Sequence, residues 1–261
     1  MTGHKEKILE LIKGSSQKLT LKDVATVLSA ENLSFKYIKQ EVRELLEQGR
    51  VEYLHEHGNS FLIPSFNSFV KISDKIVVHP PRLRPSEKND SYYVKIENST
   101  SFGRGNHPTT RLCLKAMEKA VERKDLKKDS FFDLGCGTGI LAIAAAFFGF
   151  DSCFAVDIDP VAVFDAKRNV SINGLDSRIE VNSTWPENRK FCLAAANLRP
   201  VSLADFKTDL KNMLDMDSNL VISGFKDDEK NWLLNDFEDL FSVENIWEEK
   251  GWCSALLRCR I

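Results

Sequence analysis

Three glycines at alternate positions constrain this chain of 261 residues more than any other feature. They lie in Asp133 to Gly139 (DLGCGTG), between a segment predicted as a buried strand, 130–134, and a segment predicted as a helix, 138–148. Glycine is needed where the backbone turns tightly and where a ligand approaches with no side chain between. The order strand, glycine turn, helix therefore predicts a ligand-binding turn at the carboxyl end of a strand.

Two common glycine-rich turns do not match this segment. The dinucleotide fingerprint G-x-G-x-x-G requires a glycine at position 140, where the chain has Ile140, and this weakens a nicotinamide or flavin interpretation. A P-loop requires Gly-Lys-Ser/Thr after the turn, and the chain has none there. The pattern that remains is D-x-G-x-G-x-G.

Beyond the turn, predicted strands alternate with predicted helices. Such alternation specifies a parallel sheet covered by helices on both faces, so we expect an α/β domain with a doubly wound sheet. The further predicted strands are 153–157, 191–196 and 219–223, and the further predicted helices are 161–173 and 203–214.

An acidic residue ends the strand that follows the glycine turn. Asp157 lies 18 residues past Gly139, where a carboxylate accepts hydrogen bonds from both hydroxyl groups of a ribose. Ile158 beside it is placed to cover one face of an adenine ring. The alternative is a structural turn with a surface aspartate, but turn, strand and acidic residue in register favour nucleoside binding.

The amino-terminal part of the chain predicts a different, smaller module. Helices are predicted over 5–13, from Thr20 and from Ser34, and 50–54 with 60–63 predict a hairpin around the turn 57–59. Three helices and a hairpin are typical of a winged helix-turn-helix, which often binds DNA.

The charge of this module argues against a strong interaction with nucleic acid. Residues 1–64 carry nine basic and nine acidic side chains, and a neutral module has little affinity for phosphate. Nucleic acid therefore stays a weakly supported partner, and a protein-docking or dimerisation role is favoured. We expect the winged-helix module over 1–66, a linker with lead-in strands over 67–95, and the α/β domain over 96–261.

Composition excludes several other classes of protein. Thirty-six Lys and Arg against 38 Asp and Glu leave no bulk positive field for a polyanion. The longest apolar run, 140–150, is short of the roughly 18 residues that a bilayer span requires, and no secretory signal is evident, so we expect a cytoplasmic protein with no membrane partner. Six cysteines without a CxxC pair predict reduced thiols and no metal site. The oligomeric state is left open.

The glycine turn and an upstream segment both resemble known families. The D-x-G-x-G-x-G pattern resembles the nucleoside-binding turn of class I S-adenosylmethionine-dependent methyltransferases. The segment 101–114 (SFGRGNHPTTRLCL) is similar to the F-G-x-G-x-H-x-T-T-x-L-C-L segment of the methyltransferases that modify ribosomal protein L11. The similarity covers roughly 96–261 and not the amino-terminal module, where that family carries a ferredoxin-like domain. It continues through Asp157 to Pro160, Asn169, Asn173-Gly174, 196–198, 222–225 and 248–252.

The resemblance implies a class I methyltransferase, Rossmann-like fold and S-adenosylmethionine as the cofactor. His107 is implied to order the loop over the methionine end of the cofactor, with a merely structural imidazole as the alternative. Thr110 is implied to contact the cofactor, whereas Thr109 could instead cap a helix that begins near Arg111. The implied cofactor-binding residues are Phe102, Gly103, Thr110, Asp133, Gly135, Gly137, Gly139, Asp157, Ile158 and Asn197.

Asn197 is also the implied catalytic residue. Methyl transfer from a sulfonium is an in-line displacement, so the enzyme chiefly aligns a nucleophile and excludes water. The side-chain carbonyl of Asn197 would accept hydrogen bonds from an amine and aim its lone pair at the methyl carbon. Arg199 either recognises an acidic neighbour of the target or is a plain surface arginine.

The sequence therefore predicts an S-adenosylmethionine-dependent methyltransferase that acts on a protein amine, with lysine of a ribosomal or other cytosolic protein first. Two alternatives stay open. One is a nucleic-acid or small-molecule methyltransferase, and the other is a winged-helix regulator that senses the cofactor without turnover.

Overall fold

The computed structural model describes residues 3–15, 17–31, 33–56, 58–65, 67–85, 90–99, 101–105 and 107–260. The chain divides into two compact units, residues 1–70 and residues 71–261. Sequence patterns instead predict limits at residues 66 and 95, and those limits stay a prediction.

Two helices of the amino-terminal unit, α2 and α3, begin at the predicted caps. The Asp23 amide donates to Thr20 Oγ1 at 3.3 Å, and the Thr20 amide donates to the Asp23 carboxylate at 2.8 Å, forming a capping box. Ser34 Oγ accepts from the Tyr37 amide at 3.2 Å. The elements are α1 (His4–Gly14), β1 (Leu19–Thr20), α2 (Leu21–Leu28), α3 (Phe35–Glu47), β2 (Val51–Glu56) and β3 (Asn59–Pro64).

Strand β3 pairs antiparallel with both β1 and β2, so the predicted hairpin is present; His57 in its turn lies outside the described residues. One face of each helix packs into a shared apolar core, as the helical spacing of the sequence predicts. The winged-helix assignment itself stays a prediction. The buried residues of this core are Ile8, Leu9, Ile12, Val24, Ala25, Leu28, Ile38, Val42, Leu45, Val51 and Leu62.

The larger unit opens with short strands. Strand β4 (Val70–Lys71) lies at the limit between the units, and β5 (Ile76–His79) pairs parallel with β6 (Tyr92–Lys95). The remaining elements are α4 (Pro108–Val121), β7 (Ser130–Leu134), α5 (Ile140–Phe147), β8 (Ser152–Val156), α6 (Pro160–Ile172), β9 (Ile179–Asn182), β10 (Phe191–Asn197), α7 (Pro200–Met213), β11 (Leu214–Lys226), α8 (Asp227–Phe237), β12 (Phe241–Glu249) and β13 (Trp252–Cys259).

The main sheet has the strand order β12-β13-β11-β10-β7-β8-β9. Strands β9, β8, β7, β10 and β11 run parallel, whereas β13 is antiparallel to both β11 and β12. The expectation of a parallel sheet thus fails at one edge. The reason is local: Lys250 and Gly251, with φ of 54° and 73°, form a tight turn, and a tight turn joins strands only as an antiparallel hairpin.

Helices cover both faces of this sheet. Phe132 and Leu134 of β7 belong to an apolar cluster that includes Leu203 of α7 and Leu233 of α8. Asp133, between them, points to the opposite face, where its carboxylate accepts from the Ala142 amide of α5. The sheet is therefore doubly wound, as predicted.

The strand order reverses direction at β7. From β7 the chain moves outward through β8 to β9, then returns to place β10 on the other side of β7. Ligands of doubly wound sheets bind in the crevice at such a point, beyond the carboxyl ends of the strands. The glycine turn follows β7, Asp157 follows β8 and Asn197 ends β10, and all three strands border this crevice. Within the described residues, no helix is both long enough and apolar enough to cross a membrane.

Candidate functional site

The glycine turn connects β7 to α5 with its backbone in the left-handed region. Gly135, Gly137 and Gly139 have φ values of 72°, 53° and 78°. The amides of Gly135 and Cys136 donate to Val156 O at 2.8 and 3.0 Å, which ties the turn to the end of β8. The Gly137 amide donates to Asp157 Oδ2 at 2.9 Å.

Contacts within the chain explain why side chains are excluded from this turn. A Cβ on Gly137 would lie 2.3 Å from Phe102 O, and a Cβ on Gly135 would lie 2.4 Å from Leu198 Cδ2. The sequence pattern predicts that a ligand approaches these positions. In the structure, two loops of the chain itself contact the turn, one through Phe102 and the other through Leu198.

The loop before α4 binds directly to the glycine turn. Phe102 O accepts from the Thr138 amide at 2.8 Å, and Gly103 O accepts from Thr138 Oγ1 at 2.9 Å. Ser101 Oγ donates to Asp165 Oδ2 of α6 at 2.5 Å. The F-G pair of segment 101–114 and the glycine turn therefore form one unit of structure.

A second contact ties the same loop to the β12–β13 hairpin. Arg111 Nε donates to both Glu249 carboxylate oxygens at 3.0 and 3.1 Å, and Arg111 Nη1 donates to Gly105 O at 3.3 Å. The His107 ring lies 5.2 Å from the Phe102 ring and 4.8 Å from the Trp252 ring, centroid to centroid. Aromatic rings from the loop and from the hairpin thus form one wall.

Helix α4 starts earlier than the sequence indicates. It begins at Pro108, and His107 is its N-cap, with Nδ1 accepting from the Thr109 amide at 3.4 Å. The expectation that Thr109 caps a helix beginning near Arg111 is therefore wrong, because proline is well suited to the first position of a helix.

These elements enclose a cavity of about 620 Å³ at the carboxyl edge of the sheet. Its volume lies within the range of small-molecule and cofactor sites. The lining residues are Ser101, Phe102, His107, Thr109, Leu134, Gly135, Gly137, Val156, Asp157, Ile158, Asp159, Ala162, Trp185, Asn197, Leu198, Arg199, Ser202, Phe206, Gly224 and Trp252.

Six of the predicted site residues line this cavity: Phe102, Gly135, Gly137, Asp157, Ile158 and Asn197. Four others lie behind it. A Cβ on Gly103 would lie 2.9 Å from Thr138 Oγ1, and one on Gly139 would lie 3.2 Å from Ala166 Cβ, so both glycines allow close packing. Thr110 and Asp133 are fully buried beneath the lining.

Asp133 has an unusual environment for a carboxylate. Its Oδ2 accepts from the Ala142 amide at 3.1 Å, while Oδ1 has no hydrogen-bond partner among the described residues. Burial raises the pKa of Asp133 to about 7, opposed by the Ala142 hydrogen bond and assisted by the negative charge of Asp157. Asp133 is therefore about half protonated near pH 7.

Asp157 retains capacity to bind a ligand. Its Oδ2 accepts from Gly137 and its Oδ1 accepts from the Asp159 amide at 3.0 Å. A carboxylate has about four acceptor sites, so two remain for hydroxyl donors in the cavity. Ile158 next to it is 89% exposed, so its apolar surface is available for contact with a flat ligand.

Asn197 and Arg199 occupy the β10 side of the cavity. Asn197 is the last residue of β10, and its side-chain amide bonds to no other described residue. The backbone of Leu198 packs directly against Gly224, where a Cβ would lie only 2.1 Å from Leu198 O. The Arg199 guanidinium is exposed and likewise forms no ion pair with a described residue.

Sequence reasoning missed the aromatic residues Trp185 and Phe206, whose rings lie 5.4 Å apart between the cavity and the core. Nothing in their sequence neighbourhood marks them as site residues. Trp252, by contrast, lies in segment 248–252, which carries part of the family resemblance, so a signal for it was present.

Comparison with known proteins agrees with this geometry. The family model described as "Ribosomal protein L11 methyltransferase (PrmA)" matches residues 21–259, starting well before residue 96. Ribosomal protein L11 methyltransferase of Clostridium botulinum (strain Eklund 17B / Type B) is 34% identical over 184 residues, 69% of this chain and 58% of that protein. The protein of that name from Clostridium perfringens (strain ATCC 13124) is 29% identical over 228 residues, 83% of this chain and 71% of that protein. This chain thus spans little more than half the length of the first relative.

A solved structure supports the fold. The crystal structure of ribosomal protein L11 methylase from Lactobacillus delbrueckii subsp. bulgaricus superposes on this chain with a TM-score of 0.65 at 26% sequence identity. The match covers 74% of this chain and 99% of that one. The predicted class I methyltransferase fold of the larger unit is confirmed. Because the family model matches nearly the whole chain, the chain belongs to the ribosomal protein L11 methyltransferase (PrmA) family.

Proposed function

We propose that this chain is an S-adenosylmethionine-dependent methyltransferase that modifies a lysine amine of a cytoplasmic protein, with ribosomal protein L11 as the first candidate. Family membership supports the reaction and the substrate class. The observation that carries the proposal is the cavity that joins Asp157 and Asn197 across the switch point of the sheet.

Both the polar and the aromatic residues that line the cavity suit a sulfonium nucleoside. Asp157 offers free acceptor sites for ribose hydroxyl groups, and Ile158 offers an apolar surface for a purine. Phe102 and Trp252 both line the cavity in contact with the His107 ring, and the faces of such aromatic rings attract cations. When bound, the cofactor supplies an activated methyl group on a positively charged sulfur.

Asn197 is assigned to hold the acceptor. Its position at the end of β10 places an unengaged side-chain carbonyl on the cavity wall, where it accepts hydrogen bonds from an incoming amine. A lysine must lose a proton first, which costs about 4 to 5 kcal/mol at neutral pH from a pKa near 10.4. Burial of the amine in the cavity lowers that pKa by desolvation, so a dedicated base is not required.

The test is methyl transfer from labelled S-adenosylmethionine to purified ribosomal protein L11, with ribosomal RNA and buffer alone as parallel acceptors. We expect label in the protein and a loss of at least about 100-fold in rate for Asn197→Ala. Asn235→Ala, an exposed change on α8, is the matched control and retains full rate. Label in RNA instead would support a nucleic-acid methyltransferase. Binding of the cofactor without any transfer would support a sensor.

A further inference from the structure

The mouth of the cavity exposes an unusual number of large apolar side chains. Phe102 and Ile158 line the cavity, and Val161, Phe164 and Val201 lie within the first five residues of the two helices that begin beside it. These five side chains, here called the mouth surface, are each between 51% and 89% exposed. Exposed apolar side chains are unremarkable singly, but a group around one opening marks an interaction site.

The mouth surface follows from how two helices begin. Helix α6 starts with Pro160-Val161 after the N-cap Asp159, and helix α7 starts with Pro200-Val201 after the N-cap Arg199. Both N-caps line the cavity, so the first turns of the two helices stand on either side of its opening. Each first turn presents a valine to solvent.

The loop before α4 completes the α6 side of the opening. The hydrogen bond of 2.5 Å between Ser101 Oγ and Asp165 Oδ2 joins this loop to α6. Phe102 and Phe164 are the sequence neighbours of these two residues, and both are more than half exposed. The bond therefore fixes the loop that carries Phe102 beside α6, the helix that carries Phe164.

The charges at the opening have opposite signs. Asp159 lies on the α6 side, where its Oδ1 accepts from the Val161 amide at 2.8 Å, and Arg199 lies on the α7 side. A nucleic-acid backbone would require a uniformly positive rim. An apolar surface edged by charges of both signs is instead typical of a protein interface.

We propose that the mouth surface is the docking site for the protein substrate, whose apolar side chains next to the target lysine pack on Val161, Phe164 and Val201. An acidic residue near that lysine pairs with the Arg199 guanidinium. This inference rests on the proposed function and adds to it the chemical character of the sequence around the methylated lysine.

The test changes the mouth surface without disturbing the fold. Val161→Asp and Val201→Asp each place a carboxylate in the first turn of a helix, where negative charge is stabilising, so folding is expected to be retained. Phe164→Ala removes apolar area without adding charge. Trp232→Asp on α8 is the matched control, because Trp232 is also half exposed but does not line the cavity.

The measurement is steady-state methyl transfer to purified ribosomal protein L11, together with calorimetric titration of S-adenosylhomocysteine. We expect the KM for L11 to rise about tenfold or more in each of the three variants, with kcat and nucleoside affinity within about twofold of the unchanged chain. An unchanged KM, or an equal rise in the Trp232→Asp control, overturns the docking site while leaving the proposed function intact. Absence of transfer by the unchanged chain overturns the proposed function, and the docking site falls with it.

Discussion

The Phe102 carbonyl accepts a hydrogen bond of 2.8 Å from the amide of Thr138, 36 residues later in the chain. This bond places the loop before α4 directly on the glycine turn. The carbonyl also occupies the space that any side chain at position 137 would need. Two motifs that are far apart in sequence are thus parts of one wall of the cavity.

The first prediction concerns Gly137→Ala. Both Gly137 and Gly174 have positive φ values, 53° and 70°, but a Cβ meets Phe102 O at 2.3 Å only at Gly137, whereas nothing lies within 4 Å at Gly174. We expect Gly174→Ala to cost about 1 to 2 kcal/mol of unfolding free energy from backbone strain alone. Gly137→Ala should cost at least about twice that, because the carbonyl must also move.

Urea unfolding of both variants measures this difference, and nucleoside titration shows whether the cavity survives. A clearly larger loss of unfolding free energy in Gly137→Ala than in Gly174→Ala would confirm that the Phe102 carbonyl packs against the turn. Equal costs at the two positions would show that the contact with Phe102 contributes nothing.

The second prediction concerns the ion pair between Arg111 and Glu249. Their side chains are 23% and 31% exposed, so the pair is less screened than a surface pair. A double-mutant cycle with Arg111→Ala and Glu249→Ala should give a coupling free energy of about 1 to 2 kcal/mol. Both single variants should also weaken nucleoside binding, because the pair joins the loop that carries His107 to the hairpin that carries Trp252.

The exposed pair Arg43 and Glu47 on α3, joined at 3.0 Å, is the control for that cycle. As a solvent-exposed i,i+4 pair it should show a coupling of no more than about 0.5 kcal/mol and no effect on nucleoside binding. A coupling for Arg111 and Glu249 as small as the control value would contradict the assigned bridging role.

The third prediction is a pH dependence caused by Asp133. Its pKa is raised from 3.8 to about 7 in the folded chain, so the folded state binds one proton more than the unfolded state between those values. Stability must then fall as pH rises through that window and level off above about pH 7. Asp133→Asn keeps the shape and removes the titration.

The unfolding free energy of the unchanged chain, relative to that of Asp133→Asn, should therefore fall by about 3 kcal/mol between pH 5 and pH 8. Asp176→Asn, a change of the same kind at an exposed position outside the cavity, is the control for the substitution itself. If the curve of Asp133→Asn is parallel as well, Asp133 does not carry a raised pKa.

Local patterns predicted the turn and the strands around it because glycine spacing and apolar runs act over a few residues. The caps at Thr20 and Ser34 and the position of Asp157 after β8 follow from such patterns. The antiparallel strand β13 did not follow, since its direction depends on the turn at 250–251, which is not one of the common hairpin-turn pairs.

The site was harder to predict where residues act through distant partners. Asn169 and Asn173, noted only as part of the family resemblance, hold the end of β6 and the residues just after it in place. Asn169 Oδ1 accepts from the Glu97 amide at 3.0 Å, and Asn173 Oδ1 accepts from the Lys95 amide at 2.9 Å. Each of these contacts joins residues more than 70 positions apart, so neither periodicity nor composition predicts it.

Thr110 and Asp133 lie in the two motifs but do not line the cavity, so their assignment to the cofactor stays a prediction. Both are buried beneath the cavity lining, each with one side-chain oxygen that bonds to no described residue. A motif identifies the segment near a ligand, but the pleat of the strand or the turn of the helix decides which side chains face it.

The central claim is that the cavity binds a sulfonium nucleoside between the glycine turn and Asp157. Calorimetric titration of the purified chain with S-adenosylhomocysteine tests it most directly, using Asp157→Asn for the carboxylate and Asp176→Asn as the exposed control. We predict one binding site per chain, an affinity loss of about 30-fold or more for Asp157→Asn, and none for the control. No binding by the folded, unchanged chain, or equal affinity for Asp157→Asn, would contradict the account.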